Sequence, residues 1–238
     1  MSDAALALEV RGLRSAYGKS EVLSGIDLQV QHGEIAVLLG RNGAGKTTTL
    51  RTIAGVQPAR GGTVALDGAD VTRVTAYRRA RAGLALVPQG GRAFSPLSVE
   101  DNLRLVRGRN GRAGSGWSLE QVYEFFPKLR VLRRSASGSL SGGERQMLAI
   151  GRALRANPHV VMLDEPSEGL APVIVQAITG LLGELRQRGI AILLAEQNHQ
   201  AAMRVADRCY FIEKGRIAHC ATAEEVRDSG LLARYLGV

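Results

Sequence analysis

One eight-residue stretch governs what this chain can fold into. Gly40-Arg-Asn-Gly-Ala-Gly-Lys-Thr47 follows the apolar run Glu34–Leu39 and opens a helical stretch. The pattern G-x-x-x-x-G-K-[ST] between a buried strand and a helix makes a phosphate cradle. Its glycines let backbone N–H groups turn inward, and the helix adds the positive end of its dipole. Lys46 is placed to reach the β- and γ-phosphates, and the Thr47 hydroxyl to ligate Mg²⁺. The candidate cradle is Gly40, Asn42, Gly43, Ala44, Gly45, Lys46, Thr47 and Thr48. The bland alternative is a glycine-rich turn with an incidental lysine.

A cradle of this kind needs a parallel sheet, and the chain supplies the pieces. Val160–Leu163 and Ile190–Ala195 are continuous apolar runs, as strands buried on both faces are. Between them Val173–Arg188 reads as a helix, opened by Pro172 and closed by Gly189. Strand, helix, strand makes a βαβ unit. Leu84–Val87 is a further short strand. Leu6–Tyr17, Glu21–Val30 and Gly62–Leu66 are interrupted by turn residues and read as antiparallel strands. Helical spacing marks Val99–Leu105, Leu119–Phe126 and Gly142–Ala156. The polar, glycine-rich stretch Gly108–Gly116 is expected to be an exposed, mobile loop.

Two further motifs carry chemistry. The run Val160–Leu163 ends in Asp164-Glu165-Pro166, which places two acids at the carboxyl end of a parallel strand, where such sheets bind ligands. Asp164 can hold Mg²⁺. Glu165 can accept a proton from, or orient, an attacking water. The second motif is Leu140-Ser-Gly-Gly-Glu-Arg-Gln146 at the start of a helix. Ser141 is a helix-capping residue type, and Gly142 and Gly143 expose backbone N–H groups. One subunit has no need of two cradles for one nucleotide. A head-to-tail pair of subunits does.

Charge and composition narrow the partners. Lys and Arg total 31 against 22 acids, a net charge of +9, and all the cations except Lys19, Lys46, Lys128 and Lys214 are arginine. That permits anionic partners and selects none. Aromatics are 4% of the chain and do not interleave with the arginine clusters at Arg78–Arg81 and Arg130–Arg134, which weighs against a nucleic-acid partner. No apolar run approaches the roughly 18 residues of a membrane span. Asp3 stands where a secretory leader carries basic charge, so no leader is expected. Two cysteines, Cys209 and Cys220, make no disulfide framework and fit a reducing compartment.

Taken together, the motifs resemble those of the ATP-binding subunit of an ABC transporter. Gly40–Thr47 resembles Walker A, Val160–Glu165 Walker B, and Leu140–Gln146 the family signature, and the resemblance runs over essentially the whole chain. It implies an α/β P-loop NTPase fold: a RecA-like core with a mixed sheet, an N-terminal antiparallel β-subdomain and an inserted helical subdomain. The core would span about 1–88 and 158–238, and the helical part about 89–157. The resemblance also implies ATP and Mg²⁺ as cofactors and hydrolysis of ATP to ADP and phosphate. Tyr17 matches the position whose aromatic ring stacks on adenine. Gln89 matches the Q-loop residue that contacts Mg²⁺ and water. Ser167–Pro172 stands at the D-loop without its usual aspartate. Where the family has a switch histidine, ten residues before the Asp207-Arg208 pair, this chain has Gln197. Glutamine donates a hydrogen bond but exchanges no proton near neutral pH. His199, two residues on, is the alternative.

Several local strings resemble the subfamily serving branched-chain amino acid uptake, with urea and amide systems nearby. They are Val87–Phe94, Ser167–Pro172, Ala195–Asn198 and the closing Tyr235–Val238. The implied partners are two transmembrane permease subunits, a second ATP-binding subunit and, indirectly, an extracytoplasmic binding protein. The implied place is the cytoplasmic face of the membrane. The rival readings are a soluble ABC-type ATPase acting on nucleic acid or ribosomes, and a nucleotide sensor with little catalysis.

Overall fold

A computed structural model of the chain describes residues 5–106 and 117–237. The stretch expected to be a mobile loop, Gly108–Gly116, lies outside the described residues. The strands are β1 (Leu6–Tyr17), β2 (Ser20–Gln31), β3 (Ile35–Leu39), β4 (Ala59–Leu66), β5 (Ala69–Asp70), β6 (Leu84–Val87), β7 (Val160–Asp164), β8 (Ala191–Glu196), β9 (Arg208–Glu213) and β10 (Arg216–Thr222). The helices are α1 (Lys46–Ile53), α2 (Ala76–Arg81), α3 (Val99–Arg104), α4 (Leu119–Phe125), α5 (Pro127–Val131), α6 (Gly142–Arg155), α7 (Pro172–Gln187), α8 (His199–Met203), α9 (Ala223–Asp228) and α10 (Leu231–Leu236).

The strands form two sheets. A mixed sheet has the order β10-β9-β3-β8-β7-β6, parallel except for β10. An antiparallel sheet has the order β2-β1-β4-β5. β3, β7 and β8 are buried along their whole length. Their alternating side chains therefore feed two separate cores. Ile35, Val37, Leu39, Leu163 and Leu194 join α6 and α7 on one face. Ala36, Leu38, Met162 and Leu193 join α1 and the antiparallel sheet on the other. Fully burying each such aliphatic side chain stabilises the fold by about 1.5–3 kcal/mol.

Local chemistry pins the strand that feeds the cradle. The Ile35 N–H donates to Asp207 Oδ2 at 2.9 Å, and Arg208 Nε donates to Glu34 Oε1 at 2.7 Å. The pair Asp207-Arg208 thus clamps the start of β3 from the neighbouring β9. β4 begins three residues earlier than its apolar content suggests. Gly62, at φ 80°, lets it cross β1 at Gly12, itself at φ 56°, where the register shifts between Arg11 and Arg14. Among the described residues, no helix is long and apolar enough to cross a membrane.

Candidate nucleotide site

The loop between β3 and α1 is shaped for an anion. Gly43 and Gly45 take φ of 80° and 114°, conformations that favour glycine. Gly45 caps α1 without any side-chain hydrogen bond, and no acid occupies the helix's first turn. Its first N–H groups therefore have no side-chain acceptor. Lys46 is 4% exposed, and its Nζ folds back over the loop. It donates to the Gly40 carbonyl at 2.8 Å and the Arg41 carbonyl at 3.3 Å, and it pairs with Glu165 Oε1 at 3.0 Å. Two residues of the candidate cradle stand behind it. A side chain at Gly40 would press to 2.6 Å from the Ile212 carbonyl of β9. Ala44 is buried, and its carbonyl accepts from the Gly215 N–H at 2.9 Å.

The two acids after β7 face different partners. Asp164 ends the strand, 2% exposed, and accepts from Thr47 Oγ1 at 3.0 Å. Burial pushes its carboxyl above the usual range, and the Thr47 hydrogen bond opposes that shift. Glu165 leaves the strand in a left-handed backbone conformation, φ 45°, anchored by its N–H on the Ala195 carbonyl at 2.8 Å. Such a conformation costs a non-glycine residue roughly 1–2 kcal/mol. It turns the carboxylate onto Lys46 and Gln89, whose Nε2 donates to Glu165 Oε2 at 3.3 Å. Gln89 Nε2 also donates to Glu168, a residue to which the sequence assigned no role.

Apart from Asp164, which touches it only through Thr47, these groups border one cavity of about 450 Å³, within the usual range for small-molecule sites. Asn42, Gly43, Lys46, Thr47 and Thr48 line it together with Gln89 and Glu165, and Tyr17, 45% exposed, stands on its wall. Glu165 and Glu168 also border a second cavity, of about 550 Å³, that contains Gln197 and Glu196. His199 is not among its lining residues and instead begins α8. Glu196 is a further buried acid, beyond Asp164 and Glu165, to which the sequence assigned no role. It accepts from the Ser167 N–H at 3.1 Å and the Asn198 N–H at 3.3 Å, while burial pushes its carboxyl up.

The signature residues stand elsewhere. Ser141 caps α6 in a complete capping box: its Oγ accepts from the Glu144 N–H at 3.3 Å, and Glu144 Oε2 accepts from the Ser141 N–H at 2.8 Å. Ser141 and Gly142 are exposed, whereas Gly143 is buried against Ile174. None of the three lines the cavity of Lys46. A backbone contact links the Gln89 loop to this helix: a side chain on Gly91, at φ 60°, would meet the Gln146 nitrogen at 2.6 Å.

A strand-loop-helix cradle with a buried lysine, and Thr47 and Asp164 in contact beneath it, defines a P-loop nucleoside triphosphatase. Residues 23–168 match the family model described as ABC transporter. The chain is 40% identical over 227 residues to the high-affinity branched-chain amino acid transport ATP-binding protein BraG of Pseudomonas aeruginosa, covering 93% of this chain and 95% of that one. It is 36% identical over 233 residues to the lipopolysaccharide export system ATP-binding protein LptB of Escherichia coli K12, with 97% of each covered. A nucleotide-free ATP-binding cassette from an ABC transporter superposes with a TM-score of 0.84 at 25% identity, covering 97% of both chains. This chain belongs to the ABC transporter family, as an ATP-binding subunit that hydrolyses ATP. Its fold is the ATPase cassette expected from the sequence, a mixed sheet with an attached antiparallel sheet.

Proposed function

We propose that this subunit powers an importer that carries branched-chain amino acids across the cytoplasmic membrane. Support for the cargo is the 40% identity to BraG across nearly the full length of both chains. The similarity to LptB supports the general role only. Urea or short amides are the nearest alternative cargo. The partners in this reading are two transmembrane permeases, a second ATP-binding subunit and, on the far side of the membrane, a binding protein. The subunit docks peripherally on the cytoplasmic face. The same reading divides the chain into the core of about 1–88 and 158–238 and a helical subdomain of about 89–157.

The observation that carries the chemistry is the ion pair between Lys46 and Glu165, both under a tenth exposed. Lys46 leaves Glu165 and the loop carbonyls to meet the β- and γ-phosphates, and Tyr17 stacks on the base. Released from the lysine, Glu165 accepts the proton of the attacking water. Gln197 donates to the γ-phosphate. Thr47 Oγ1 and Asp164 Oδ1, in contact at 3.0 Å, are hard oxygen donors suited to Mg²⁺, and a cation relieves the buried Asp164 charge. Thr47, Asp164 and Gln89 would hold Mg²⁺, which would neutralise phosphate charge. Ser141, Gly142 and Gly143 complete the pocket from a second protomer. Clamped by ATP and parted after hydrolysis, the pair converts a difference in affinity between two states into motion of the permeases.

Reconstitution in proteoliposomes with the permeases and binding protein tests the cargo. Leucine-loaded binding protein is expected to stimulate ATP hydrolysis, and urea is not. Stimulation by urea or acetamide with none by leucine refutes the proposed substrate.

A further inference from the structure

The turn after Glu165 carries a second carboxylate. The Glu168 N–H donates to the Glu165 carbonyl at 3.3 Å, and Gly169, at φ 66°, reverses the chain just beyond it. Glu168 Oε2 thereby comes back onto Gln89 Nε2. The same amide nitrogen makes only a long contact, 3.3 Å, to Glu165 Oε2. Glu168 is exposed, so its carboxylate is not there to fill a core. Thr47, Gln89, Glu165 and Glu168 all line the one cavity.

Two physical arguments give this contact a purpose. Ionised carboxylates only accept hydrogen bonds, so two of them on one side of Gln89 fix its amide with the NH₂ toward them. The amide oxygen is then the end left for a cation held at Thr47 and Asp164. Second, Glu165 has competing duties. It pairs with Lys46 through one oxygen and touches Gln89 through the other. Once it turns toward water, it no longer holds the amide. Glu168 is the acceptor that remains.

Building on the nucleotide-site reading above, we propose that Glu168 is a positioning residue: it fixes the Gln89 amide so that its oxygen is preset for the divalent cation that accompanies the nucleotide, and it frees Glu165 for water. Glu168 is thus coupled to metal binding through Gln89, without touching metal or phosphate itself.

Calorimetric titration of the full chain with a non-hydrolysable ATP analogue, once with EDTA and once with Mg²⁺, tests this. The ratio of the two affinities measures the gain due to the metal. Glu168→Ala is expected to cut that gain about three- to tenfold, the usual worth of one oriented polar contact, without weakening binding in EDTA. Glu168→Gln, whose amide oxygen still accepts from Gln89, is expected to restore most of it. In the Gln89→Ala background Glu168→Ala is expected to do nothing further, because the two effects share one contact. Additive effects of the two substitutions, or an unchanged metal gain in Glu168→Ala, would overturn the proposal. Lys46→Ala separates this from a failure of the underlying site. It must weaken binding in both media, and if it does not, the nucleotide-site reading fails and takes the proposal with it.

Discussion

Two helices begin in glycine-rich turns, and they treat their first N–H groups in opposite ways. α1 is capped by Gly45, with no side-chain acceptor and no acid in its first turn. α6 is capped by Ser141 in a closed capping box, with Glu144 already inside the first turn. A bare helix end attracts an anion, whereas a boxed one has partly satisfied itself. The surroundings differ too. α1 starts with a buried lysine, next to the carboxylate of Glu165, at a cavity that Glu168 also lines. α6 starts at the surface, with Ser141 and Gly142 exposed. Glycine content therefore does not define a phosphate site. The cap and the neighbouring charges do. In the proposed reading the α1 end holds phosphate within one protomer, and the α6 end serves a second protomer's nucleotide.

The largest effects belong to the α1 end. Glu165→Gln removes the proposed proton acceptor while keeping the shape, and it also removes the charge that pairs with Lys46. Turnover is expected to fall about 10²–10⁴-fold, the usual worth of a general base, with nucleotide affinity preserved or tightened. Single-turnover hydrolysis and a binding titration read the two separately. A variant that turns over at the parental rate removes Glu165 from the role. Next comes Lys46→Ala, expected to weaken ATP binding roughly 100-fold, the equivalent of about 2.7 kcal/mol. Because it leaves Glu165 buried and unpaired, its melting temperature should be measured beside its affinity. Unchanged affinity would place the phosphates elsewhere.

The α6 end should respond differently. Ser141→Ala is expected to cost about 1 kcal/mol of stability through the lost cap, a drop of roughly 2–4 °C in a domain of this size. Nucleotide affinity of the dilute protomer should not change. Turnover that depends on protein concentration should flatten, since in the proposed reading the residue acts only across a pair. Loss of affinity in the dilute protomer would erase the distinction between the two helix ends.

How much of this was legible beforehand follows from burial. β3, β7 and β8 are covered on both faces, so their sequences are continuous apolar runs that announce themselves. β9 and β10 give no such signal. The apolar centre of β9, Cys209–Ile212, lies between Arg208 and Glu213, and β10 is largely exposed and shows no clean alternation. Helices α8 to α10 are five or six residues long, too short for a period to show. Motif spacing named Lys46, Thr47, Asp164 and Glu165, but only the fold reveals that Lys46 and Glu165 hold each other. Glu168 escaped notice because its position depends on the left-handed backbone of Glu165, which no residue type signals. Spacing from Asp207 singles out Gln197, and that residue, unlike His199, lines the second cavity that Glu165 borders, though not the cavity of Lys46.

Glu196 offers the smallest effect, visible only in its pH dependence. Burial raises its folded-state pKa despite the hydrogen bonds from Ser167 and Asn198. The folded state therefore holds its proton to higher pH than the unfolded chain does. Stability must fall as pH rises through the window from the ordinary glutamate range, about 4.3, up to the raised folded value. Glu196→Gln carries no such charge. It retains one acceptor for the Ser167 N–H or the Asn198 N–H and presents an NH₂ to the other, a cost that does not vary with pH. Only the parent's stability therefore changes through this window on account of residue 196. The melting temperature of Glu196→Gln minus that of the parent should become more positive between pH 4 and pH 7.5. Asp164, whose carboxyl burial also raises, is present in both proteins and cancels from the difference. A flat difference would mean that Glu196 is as well solvated in the fold as in the unfolded chain, and that the lining of the second cavity holds no buried charge there.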